Sequence, residues 1–598
     1  MNTGTRNPSG EAPWARFDDI LLGTGRMFSS PHRVLVARST SEVAPVLDEV
    51  DKATRQGAWA FGYVAYEAAP GLDAGLAVCD RQPNGPPLVW FGLSDEPVQV
   101  PPLSAALDEE RQYNAAMWQP GWTSTEYRSQ MAYVREHIAA GDIYECNLTV
   151  RLDSKVNGDM AQMYADLALN QRTHYAAYLD LGQHVIVSAS PELFFQWIGD
   201  RLLTRPMKGT AARGRTQAED QESVQALLNS PKERAENVIV VDLLRNDVSR
   251  VAAVGSVSVP ALCVPERYET LWQLTSDVTG TVPAGTSLLD VFRALFPSGS
   301  ITGAPKQRAM EIIRDVETSP RGVYCGAIGV LAPPGVEPRA QFSVAIRTVV
   351  ADRATGHAVY GTGGAITWAS DPDVELAEVH TKAAILHKHY RDFHLFETMA
   401  HVPGEGVRHL QRHLDRLQSS AQYFCFAFDA GRARAEVAAV TEHASAARVR
   451  LILRRCGEVS VELGLLPPPS VQPVRLAVDP EPVDSTQRWL YHKTSYRRIY
   501  TLRARRHPHA DDVVLVNERG QVTETSTANL AVHLEGTWWT PPLDAGCLPG
   551  IERGRLVELR QLREKPMTPQ DLQRADALAV LNSLRGWRPA VLTTGSIA

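Results

Sequence analysis

The chain has 598 residues, of which 44% are hydrophobic and 22% charged, with a formal net charge of -7 and a pI near 6.2. This length exceeds what one hydrophobic core supports, so we expect several domains, and the acidic balance excludes a basic nucleic-acid footprint. Seven cysteines without a CxxC pair or zinc spacing, and the lack of any long apolar run, predict a reduced, cytoplasmic protein that does not bind membranes.

The sequence divides into four predicted parts. Residues 1–13 are polar and carry Pro and Gly, which predicts a disordered N-terminus. Residues 14–122 alternate short apolar runs with turns, which indicates a sheet, and end in a Pro-rich surface crossing. Residues 123–390 mix helical and strand patterns, and residues 391–598 begin a second such series with hardly a linker between the two.

A carboxylate follows the first group of strand patterns, which cover residues 142–151, 175–180 and 184–190. The last of these strands runs into Ser190-Pro191-Glu192, which places Glu192 among apolar residues. Desolvation at such a position raises the pKa of a carboxyl group and suits it to acid catalysis. A paired carboxylate at the end of a strand is the alternative.

The stretch from Thr204 to Gly214 carries an unusual lysine. An apolar strand pattern over 193–203 runs into Gly, Pro and small residues, which predicts a loop at the end of the strand. Lys208 lies in the middle of this stretch, beside groups too small to cover it. It is either a solvated lysine in a basic turn or a nucleophilic lysine in an active site.

Two predicted helices each carry a pair of glutamates on one face. Glu233 and Glu236 are three residues apart on a single helix predicted over 217–248, and Glu375 and Glu378 lie on a later helix. Two such pairs suit a hard cation such as Mg²⁺, which prefers carboxylate oxygens. Pairs at this spacing are also common on solvated helix faces, which is the alternative.

The later of these helices has a clear start signal. Ser370-Asp371-Pro372 predicts Asp371 as the N-cap and Pro372 as the first helical residue. Lys382 falls on the same face of this helix as the two glutamates.

Two further segments predict carboxylate binding. Residues 296–306 form a Gly/Ser/Thr loop that enters a predicted helix, and free backbone N–H groups at such a helix start can hold a carboxylate. Arg347 is a polar position in an otherwise apolar strand predicted over 342–348, and its guanidinium suits bidentate binding of a carboxylate. Residues 360–366 form a glycine-rich segment that allows close approach to a bound molecule.

Taken together in order, these motifs resemble the chorismate-utilising enzymes, the family of anthranilate, isochorismate, salicylate and aminodeoxychorismate synthases. The resemblance covers residues 125–385 and extends more loosely to 14–100. The motifs on which the resemblance rests are Ser190-Pro191-Glu192, ERAENVIVVDLLRND at 233–247, FPSGSITGAPKQRAMEII at 296–313, Arg321-Gly322-Val323-Tyr324, Ala345-Ile346-Arg347-Thr348 and SDPDVELAEVHTK at 370–382.

The resemblance implies a role for each motif. Glu192 is implied to be the general acid that protonates the departing C4 hydroxyl of chorismate. The groups implied to bind Mg²⁺, which anchors the ring carboxylate, are Glu236, Glu375 and Glu378, with Glu233 nearby. The groups implied to bind substrate carboxylates are Arg347, Tyr324, Lys382 and the backbone around Thr302, Gly303, Gly363 and Gly364.

Two positions choose among members of the family. Isochorismate- and salicylate-forming members carry a water-activating lysine at the place of Glu145, so this chain lacks their base. Anthranilate synthases carry a small residue where this chain has Lys208, and component I of aminodeoxychorismate synthase carries the lysine. A desolvated Lys208 with a lowered pKa would attack C2 of chorismate, and ammonia would then displace it while adding at C4. The chain departs from many relatives at Gln273, where they have histidine, and at Glu145, where they have glutamine.

The second half opens with a strand pattern at 393–399 and an amphipathic helix over 409–421, with Arg416 on its flank. Lys493 follows, and taken alone it fits a surface lysine. In order with Glu524 and with Gly550-Ile551, a predicted helix start, it resembles the fold-type-IV pyridoxal-phosphate enzymes over about 393–590, and most closely 4-amino-4-deoxychorismate lyase.

That resemblance implies that Lys493 forms the Schiff base and moves protons. Glu524 is implied to keep the pyridine nitrogen protonated, which makes the cofactor ring an electron sink. Arg416 and the backbone N–H groups at Gly550 and Ile551 are implied to hold the cofactor phosphate. Branched-chain and D-amino-acid aminotransferases share this pattern.

The sequence therefore predicts a multidomain α/β and α+β chain. Its first part is a two-sheet α/β sandwich, and its second is a fold-type-IV, D-amino-acid-aminotransferase-like α+β domain. The expected activity is synthesis of 4-aminobenzoate for folate: Mg²⁺-dependent amination of chorismate, then PLP-dependent expulsion of pyruvate.

The sequence shows no glutaminase domain and no Gly-x-Cys-x-Gly nucleophile turn, so a separate glutamine amidotransferase subunit is expected to supply the ammonia. Anthranilate-type chemistry beside an aminotransferase-like domain, and a half that serves only as a docking scaffold, are the alternatives. A homodimer through the PLP domain stays open.

Overall fold

A computed structural model describes residues 13–101, 103, 113–269, 271–387, 392–468 and 472–593. The predicted disorder of the N-terminus concerns residues that lie, except for Pro13, outside this described part, as does much of the predicted crossing before residue 122. The chain forms two compact units. The first unit comprises residues 1–212 and 226–391, and the second comprises residues 213–225 and 392–598.

The strands of the first unit are, in chain order, β1 Trp14–Asp19, β2 Thr24–Phe28, β3 Arg33–Ala37, β4 Trp59–Val64, β5 Val89–Ser94, β6 Val98–Val100, β7 Tyr113–Ala115, β8 Gln119–Pro120, β9 Glu145–Gly158, β10 Tyr175–Asp180, β11 His184–Ser190, β12 Leu193–Ile198, β13 Arg201–Arg205, β14 Met207–Ala212, β15 Ser258–Arg267, β16 Leu271–Thr281, β17 Gly303–Ala304, β18 Ala327–Leu331, β19 Ala340–Val344, β20 Thr348–Asp352 and β21 His357–Ile366.

Its helices are α1 Thr40–Arg55, α2 Ser124–Ala139, α3 Met160–Gln171, α4 Gln217–Asn229, α5 Pro231–Ser249, α6 Leu288–Leu295, α7 Lys306–Val316 and α8 Pro372–Ala383, with short 3₁₀ turns at Tyr66–Gly71, Gly299–Ile301 and Ala384–His387. The helix α4 contributes residues to both units.

Two antiparallel sheets form the body of the first unit. Among the described residues one sheet has the strand order β17-β9-β21-β20-β11-β10-β1-β2-β6, and the other has the order β14-β16-β13-β12-β19-β18-β4-β5-β3. A shared apolar layer that includes Phe28, Phe61, Ile186 and Ile328 joins strands of both sheets. Separate clusters cover the outer faces with helices, so the predicted two-sheet α/β sandwich is confirmed.

Strands of the N-terminal part enter both sheets. β1 pairs with β10 in one sheet, and β4 pairs with β18 in the other. Strands from before and after residue 122 are therefore interleaved in the same two sheets of the first unit.

The second unit contains β22 Leu395–Val402, β23 Gly406–Val407, β24 Ala447–Leu453, β25 Val459–Leu465, β26 Val474–Val478, β27 Asp512–Val516, β28 Val522–Thr525, β29 Asn529–Leu534, β30 Thr537–Thr540, β31 Arg563–Glu564, β32 Ala577–Asn582 and β33 Gly586–Leu592. Its helices are α9 Leu410–Phe424, α10 Ala430–Thr441, α11 Arg498–Arg506, α12 Ile551–Glu558 and α13 Pro569–Arg574, with 3₁₀ turns at Arg488–Leu490 and Leu543–Ala545.

These strands form a small antiparallel sheet, β23-β22-β24-β25, and a mixed sheet, β28-β27-β26-β33-β32-β29-β30-β31. The mixed sheet has parallel pairs at β26–β27, β26–β33 and β30–β31. Helix α9 packs on the small sheet through Leu414, Leu417 and Ala421, as its sequence pattern predicts. In the described part of the chain, no helix is both long and apolar enough to cross a membrane.

The single helix predicted over 217–248 is wrong, because two helices occupy this range. Helix α4 ends at Asn229, and Ser230 then takes an extended conformation as the N-cap of α5, accepting a hydrogen bond from Glu233 N. Pro231 occupies the first position of the new helix, where its missing N–H costs no hydrogen bond.

The first strand carries a buried ion pair, and a hydrogen bond from a helix of the same unit reaches its carboxylate. Arg16 donates to both carboxylate oxygens of Asp18, at 2.7 Å each, and Tyr164 donates to the same carboxylate at 2.6 Å. Both charged side chains are fully buried. Such a pair contributes most through the cost of leaving one partner without the other.

We expect Asp18→Ala to lower the free energy of unfolding of the first unit by about 3–5 kcal/mol, because it removes a buried carboxylate that accepts hydrogen bonds from both Arg16 and Tyr164. Urea denaturation followed by tryptophan fluorescence measures this change. Glu49→Ala is the control, since the Arg33–Glu49 pair has side chains 53% and 35% exposed and should barely move the transition. Equal effects of the two substitutions would contradict the assignment.

Candidate functional sites

A cavity of 430 Å³ in the first unit brings most of the predicted residues together. It is lined by Glu192, Lys208, Glu233, Glu236, Tyr324, Arg347, Gly363, Gly364, Glu375, Glu378 and Lys382. These residues come from widely separated parts of the chain, and folding brings their charged side chains and glycines together around one cavity.

Lys208 lies on a strand, and the predicted loop at this position is wrong. Strand β14 pairs with β16, and the register shifts between Met207 and Thr210. Gly209, at φ 96°, adopts the left-handed conformation that glycine favours. The glycine and proline signals thus belong to a bulge in a paired strand, and bulges of this kind commonly redirect a side chain at a site.

The partner of Lys208 is Glu145. Lys208 Nζ lies 3.2 Å from Glu145 Oε2, with the two side chains 13% and 1% exposed. Glu145 Oε1 is buried and accepts no hydrogen bond from any described residue. Glu145 was noted in the sequence only as a departure from related chains, yet it is the carboxylate in direct contact with the lysine.

Glu192 is buried beside the same cavity. Ser300 Oγ donates a short hydrogen bond to Glu192 Oε1, and the carboxyl group is 4% exposed. Burial raises the pKa of Glu192 to about 7, against the opposing effects of Ser300 and Lys208. A substantial fraction of Glu192 is therefore protonated near neutral pH, as the sequence predicted for an acid at this position.

Arg347 lies in a turn, so the strand predicted over 342–348 is wrong. The chain leaves β19 at Val344, passes through Arg347 at φ 53°, and enters β20 at Thr348 in the other sheet. Crossing between sheets requires this break, which a run of apolar residues does not reveal. Arg347 Nη1 donates a short hydrogen bond to Lys382 O.

Lys382 connects helix α8 with the glycine-rich strand. Its Nζ lies 2.7 Å from Glu378 Oε1 and donates to Gly363 O at 2.7 Å. Burial lowers the pKa of Lys382, and the neighbouring Glu378 opposes this effect. Helix α8 itself begins as predicted: Asp371 accepts from Asp373 N and Val374 N, and Pro372 is the first helical residue.

The glycines of β21 form a close wall that larger residues would block. A Cβ atom on Gly361 would lie 2.3 Å from the ring of Tyr324, and one on Gly363 would lie 2.3 Å from Leu148 O. Gly364 faces Glu375, whose Oε2 would be 3.3 Å from an added Cβ. Burial raises the pKa of Tyr324, so its hydroxyl group remains a hydrogen-bond donor.

Thr302 and Gly303 do not line the cavity, which corrects their predicted place in its wall. Thr302 O accepts from Asn147 N at 2.8 Å, and Gly303 pairs with Cys146 in β9. Sheet pairing uses this part of the loop. The neighbouring Ser300 and Ile301 line the cavity in its place.

The four predicted metal ligands share the cavity but do not form a closed centre. Burial raises the pKa of Glu236 and of Glu375. Burial acts in the same direction on Glu378, but Lys382 outweighs it and lowers the pKa of that carboxyl group. Glu233 Oε2 accepts from Thr210 N at 3.3 Å. Among the described residues no three His, Cys, Asp or Glu side chains converge at metal-binding distance.

Their donor chemistry nevertheless suits Mg²⁺. All four are carboxylates, the ligands that this hard cation prefers, and Mg²⁺ keeps several waters rather than requiring an all-protein cage. Two of them, Glu236 and Glu375, are half-buried, and the neighbouring lysines do not offset the desolvation that raises their pKa, which a bound cation would relieve.

In the second unit, Lys493 is enclosed and its ammonium is disfavoured. Burial lowers the pKa of Lys493 to about 8, and the nearby Arg416 acts in the same direction. Its Nζ lies 4.9 Å from the centre of the Phe396 ring. The surface-lysine alternative therefore does not hold, and the residue has the surroundings of an amine that can be neutral near physiological pH.

Glu524 is the buried carboxyl group near this lysine. Tyr500 OH donates to its Oε1 at 2.8 Å, and Leu548 N donates to its Oε2 at 3.2 Å. Burial raises the pKa of Glu524 to about 7, while these hydrogen bonds oppose the shift. Lys493 and Glu524 are close enough for each to influence the pKa of the other.

Arg416 is held by a carboxylate that the sequence did not indicate. Its Nε and Nη2 contact the two oxygens of Glu397 at 2.9 and 2.6 Å, and His413 Nδ1 lies 2.6 Å from Glu397 Oε2. Burial would raise the pKa of Glu397, but Arg416 and His413 together lower it to about 2. The carboxylate thus stays ionised and fixes the direction of the guanidinium.

The predicted helix start at Gly550 is confirmed. Helix α12 begins at Ile551 with Gly550 as its N-cap, and Arg416 Nη1 donates to Pro549 O at 3.0 Å. A Cβ atom on Gly550 would lie 1.9 Å from Asn529 Oδ1, so only glycine fits here. The free N–H groups of a helix start beside a guanidinium form a ready site for a phosphate.

These groups fit pyridoxal phosphate. A lysine with a lowered pKa, a buried carboxyl group and an arginine beside a helix start match the aldehyde, the ring nitrogen and the phosphate of that cofactor, in that order. The residues that sequence reasoning missed are Glu145, Ser300, Glu397 and Tyr500, each of which holds or neutralises a predicted residue. Their spacing along the chain carries no signal, because each partner is distant in sequence.

Comparisons with known proteins match two families to two successive parts of the chain. Residues 11–388 match the family model described as chorismate binding enzyme, and residues 394–592 match amino-transferase class IV. A domain of the latter class implies pyridoxal phosphate as its cofactor.

The first half resembles aminodeoxychorismate synthase component 1 of Salmonella typhimurium, at 40% identity over 314 residues, or 50% of this chain and 68% of that protein. The protein of the same name from Escherichia coli is 40% identical over 265 residues, which are 44% of this chain and only 57% of that protein.

A solved structure, anthranilate synthase component I from Streptococcus pneumoniae, shares the fold. Its TM-score is 0.53 at 22% identity, covering 63% of this chain and 92% of that one. Since the first family model spans more than half of the sequence, this protein belongs to the chorismate-binding enzymes, and it carries a class IV amino-transferase domain after that part.

Proposed function

We propose that the first unit aminates chorismate at C4 and that the second unit expels pyruvate from the product, giving 4-aminobenzoate. The observation that carries the proposal is Lys208, which a bulge places in the same cavity as the buried acid Glu192 and the cationic Arg347. The similarity to proteins named aminodeoxychorismate synthase component 1 supports the same chemistry.

Chorismate, a dicarboxylate, binds against the cationic side of the cavity. Arg347 and Lys382 supply positive charge, and their mutual contact fixes them as one group. Tyr324 and the glycines of β21 supply a close wall, while Ser300 and Ile301 take the place in the wall first assigned to Thr302 and Gly303.

Mg²⁺ would be held by Glu236, Glu375 and Glu378, with Glu233 nearby. When bound, the cation supplies positive charge that neutralises the ring carboxylate and the surrounding glutamates. The raised pKa of the half-buried Glu236 and Glu375, which the nearby lysines do not offset, supports this assignment.

Covalent amination then needs a neutral lysine. Glu145 Oε2, at 3.2 Å, accepts a proton from Lys208 Nζ. The amine adds to C2 of chorismate, both ring double bonds shift by one position, and the C4–O bond breaks. Glu192 gives its proton to the departing hydroxyl, which leaves as water. Ammonia next adds at C4 and loses a proton, both double bonds return, and the bond between C2 and Nζ breaks, which releases Lys208 as the free amine.

Ammonia comes from a separate glutamine amidotransferase subunit. The relatives are named as component 1, which supports a second component that supplies the nitrogen. Free ammonium at high concentration replaces that subunit in an assay of this chain.

The second unit completes the sequence. Pyridoxal phosphate, when bound, supplies a ring that accepts electrons from the bond being broken. Lys493 would hold the cofactor and take the proton from C4 of the aminated substrate. Glu524 would keep a proton at the ring nitrogen, and Arg416 with the N–H groups at Gly550 and Ile551 would hold the phosphate. The C3–O bond then breaks, the departing enolpyruvate takes up a proton to become pyruvate, and the carbon ring of the substrate becomes aromatic.

The isomer of the product tests the first unit. With chorismate, Mg²⁺ and ammonium, we expect 4-aminobenzoate as the product, identified by chromatography. The reason is that Lys208 adds at C2, so that ammonia adds at C4. Lys208→Ala should reduce its formation at least about a hundredfold. Formation of the ortho isomer, or full activity of Lys208→Ala, would overturn the proposal.

A pH series tests Glu192 as the acid. Since burial raises its pKa to about 7, the protonated form is present below that pH and is lost above it. We expect chorismate consumption, at constant free ammonia, to fall as the pH rises through about 7. Ser300→Ala removes a hydrogen bond that lowers this pKa and should move the fall to higher pH. An unchanged midpoint in that variant would exclude Glu192.

Absorbance spectra test the second unit. We expect the chain to show a visible band of the bound cofactor that Lys493→Ala abolishes, because Lys493 is the amine proposed to bind the cofactor. Glu524→Gln should keep a band and slow pyruvate release by roughly a hundredfold, since the ring nitrogen loses its partner. Arg475→Ala, in an exposed ion pair of the same unit, is the control. A visible band that persists in Lys493→Ala would contradict the assignment.

A further inference from the structure

A short piece of the chain lies in the second unit although its sequence falls within the chorismate-binding match. Residues 213–225 belong to the second unit, whereas the residues on both sides of them belong to the first. The piece begins directly after β14, the strand that carries Lys208. Its contacts within the second unit include Tyr423 of helix α9 and the two residues before Lys493, Tyr491 and His492.

The piece is first held by contacts within itself. Arg213 Nε donates to Asp220 Oδ1 at 2.6 Å, and Gly214 N donates to the same oxygen at 3.1 Å. The side chains of Arg213 and Asp220 are 5% and 1% exposed, so this is a buried pair. A Cβ atom on Gly214 would lie 2.2 Å from Asp220 N, so only glycine allows this close turn.

The turn is closed against Tyr423 of helix α9 by contacts in both directions. Arg213 Nη2 donates to Tyr423 O at 2.8 Å, and the guanidinium lies 4.4 Å from the centre of the tyrosine ring. Tyr423 OH in turn donates to Gly214 O at 2.7 Å. The ring is therefore fixed on one face by a cation and at its tip by a backbone carbonyl.

The other face of Tyr423 carries the contact to His492, the residue before Lys493. The two rings stack with centres 4.4 Å apart. His492 Nε2 lies 3.1 Å from Arg215 O, and its Nδ1 lies 2.9 Å from Ser420 Oγ. A carbonyl only accepts hydrogen bonds, so Nε2 carries the hydrogen and Nδ1 accepts from the serine.

The imidazole stays neutral in this arrangement. Burial lowers the pKa of His492 to about 3, so the tautomer selected by Arg215 O persists at neutral pH. Arg215 also donates to Tyr491 OH at 3.0 Å, and Tyr491 OH donates to Ser485 O at 2.8 Å. Both residues that precede Lys493 are therefore held by the 213–215 segment.

We propose that residues 213–215 are a positioning element of the lyase site, fixing the backbone that carries Lys493 through Tyr423, Tyr491 and His492. The proposal rests on the function proposed above, in which Lys493 binds the cofactor. The chorismate-binding part of the sequence thus supplies a structural part of the second active site, and the link begins five residues after Lys208.

The first test uses the full chain without cofactor, so that it does not depend on the proposed chemistry. We expect Tyr423→Phe, which removes only the hydroxyl group bonded to Gly214 O, to speed amide hydrogen exchange at residues 490–496 roughly five- to tenfold. Arg213→Ala should do more, and Arg213→Lys should restore part of the protection because it keeps the charge.

The control is Arg475→Ala, which breaks an exposed pair with side chains 58% and 45% exposed. It should leave exchange at 490–496 unchanged. Unchanged exchange in Tyr423→Phe and Arg213→Ala, with the folded state retained, would overturn the proposal. Because Tyr423→Phe keeps the ring and its stacking, it stays informative even if Arg213→Ala does not fold.

The second test uses the chain loaded with pyridoxal phosphate. The visible circular dichroism of the bound cofactor, divided by its absorbance, reports the orientation of the ring at Lys493. A variant that merely folds less well lowers both signals together and keeps the ratio. We expect Arg213→Ala and Tyr423→Phe to change the ratio, and a constant ratio would exclude a positioning role. Absence of any visible band in the parent chain would count against the proposed function, while the exchange result would stand.

Discussion

Both candidate sites depend on buried ionisable groups whose neighbours only partly offset the cost of burying a charge. Glu192 and Glu524 are enclosed in two different folds, and in each case burial raises the carboxyl pKa to about 7. Burial lowers the pKa of Lys493 to about 8. Groups that water would hold firmly in one protonation state are thereby brought near the point where they exchange protons at neutral pH.

The fully paired charges behave differently and serve the fold. Glu397 contacts both Arg416 and His413, and its pKa falls to about 2 despite its burial. The same degree of burial therefore gives either a fixed ion or a group that can gain and lose a proton, and the number of partners decides which.

The sequence was informative where structure is set locally. Asp371 and Pro372 start helix α8 as predicted, because an N-cap and a first-turn proline act on their own neighbours. The break at Ser230 was available from the same kind of signal but was obscured by the apolar pattern on either side.

The site could be predicted in part only, because its remaining features depend on partners distant in sequence. Pro206 and Gly209 indicate a loop in isolation, and only pairing with β16 turns them into a bulge. Arg347 lies where the chain crosses from one sheet to the other, and the alternation of apolar and polar residues does not indicate such a crossing. Glu145 reaches Lys208 across 63 residues of chain, so no local pattern joins them. The sequence thus indicates which residue types gather, while their mutual contacts follow from the sheets.

The divided make-up of the second unit also bears on how the protein is made. Residues 213–225 leave the ribosome before residues 226–391, so at about 5–20 residues per second roughly 10–30 s pass before synthesis of the rest of their unit begins. The pair between Arg213 and Asp220 spans only a few residues, so it can form while the segment waits and limit the entropy lost later. Synthesis order therefore places completion of the second catalytic centre last, and a chain interrupted after residue 391 carries a segment whose intended neighbours have not been made.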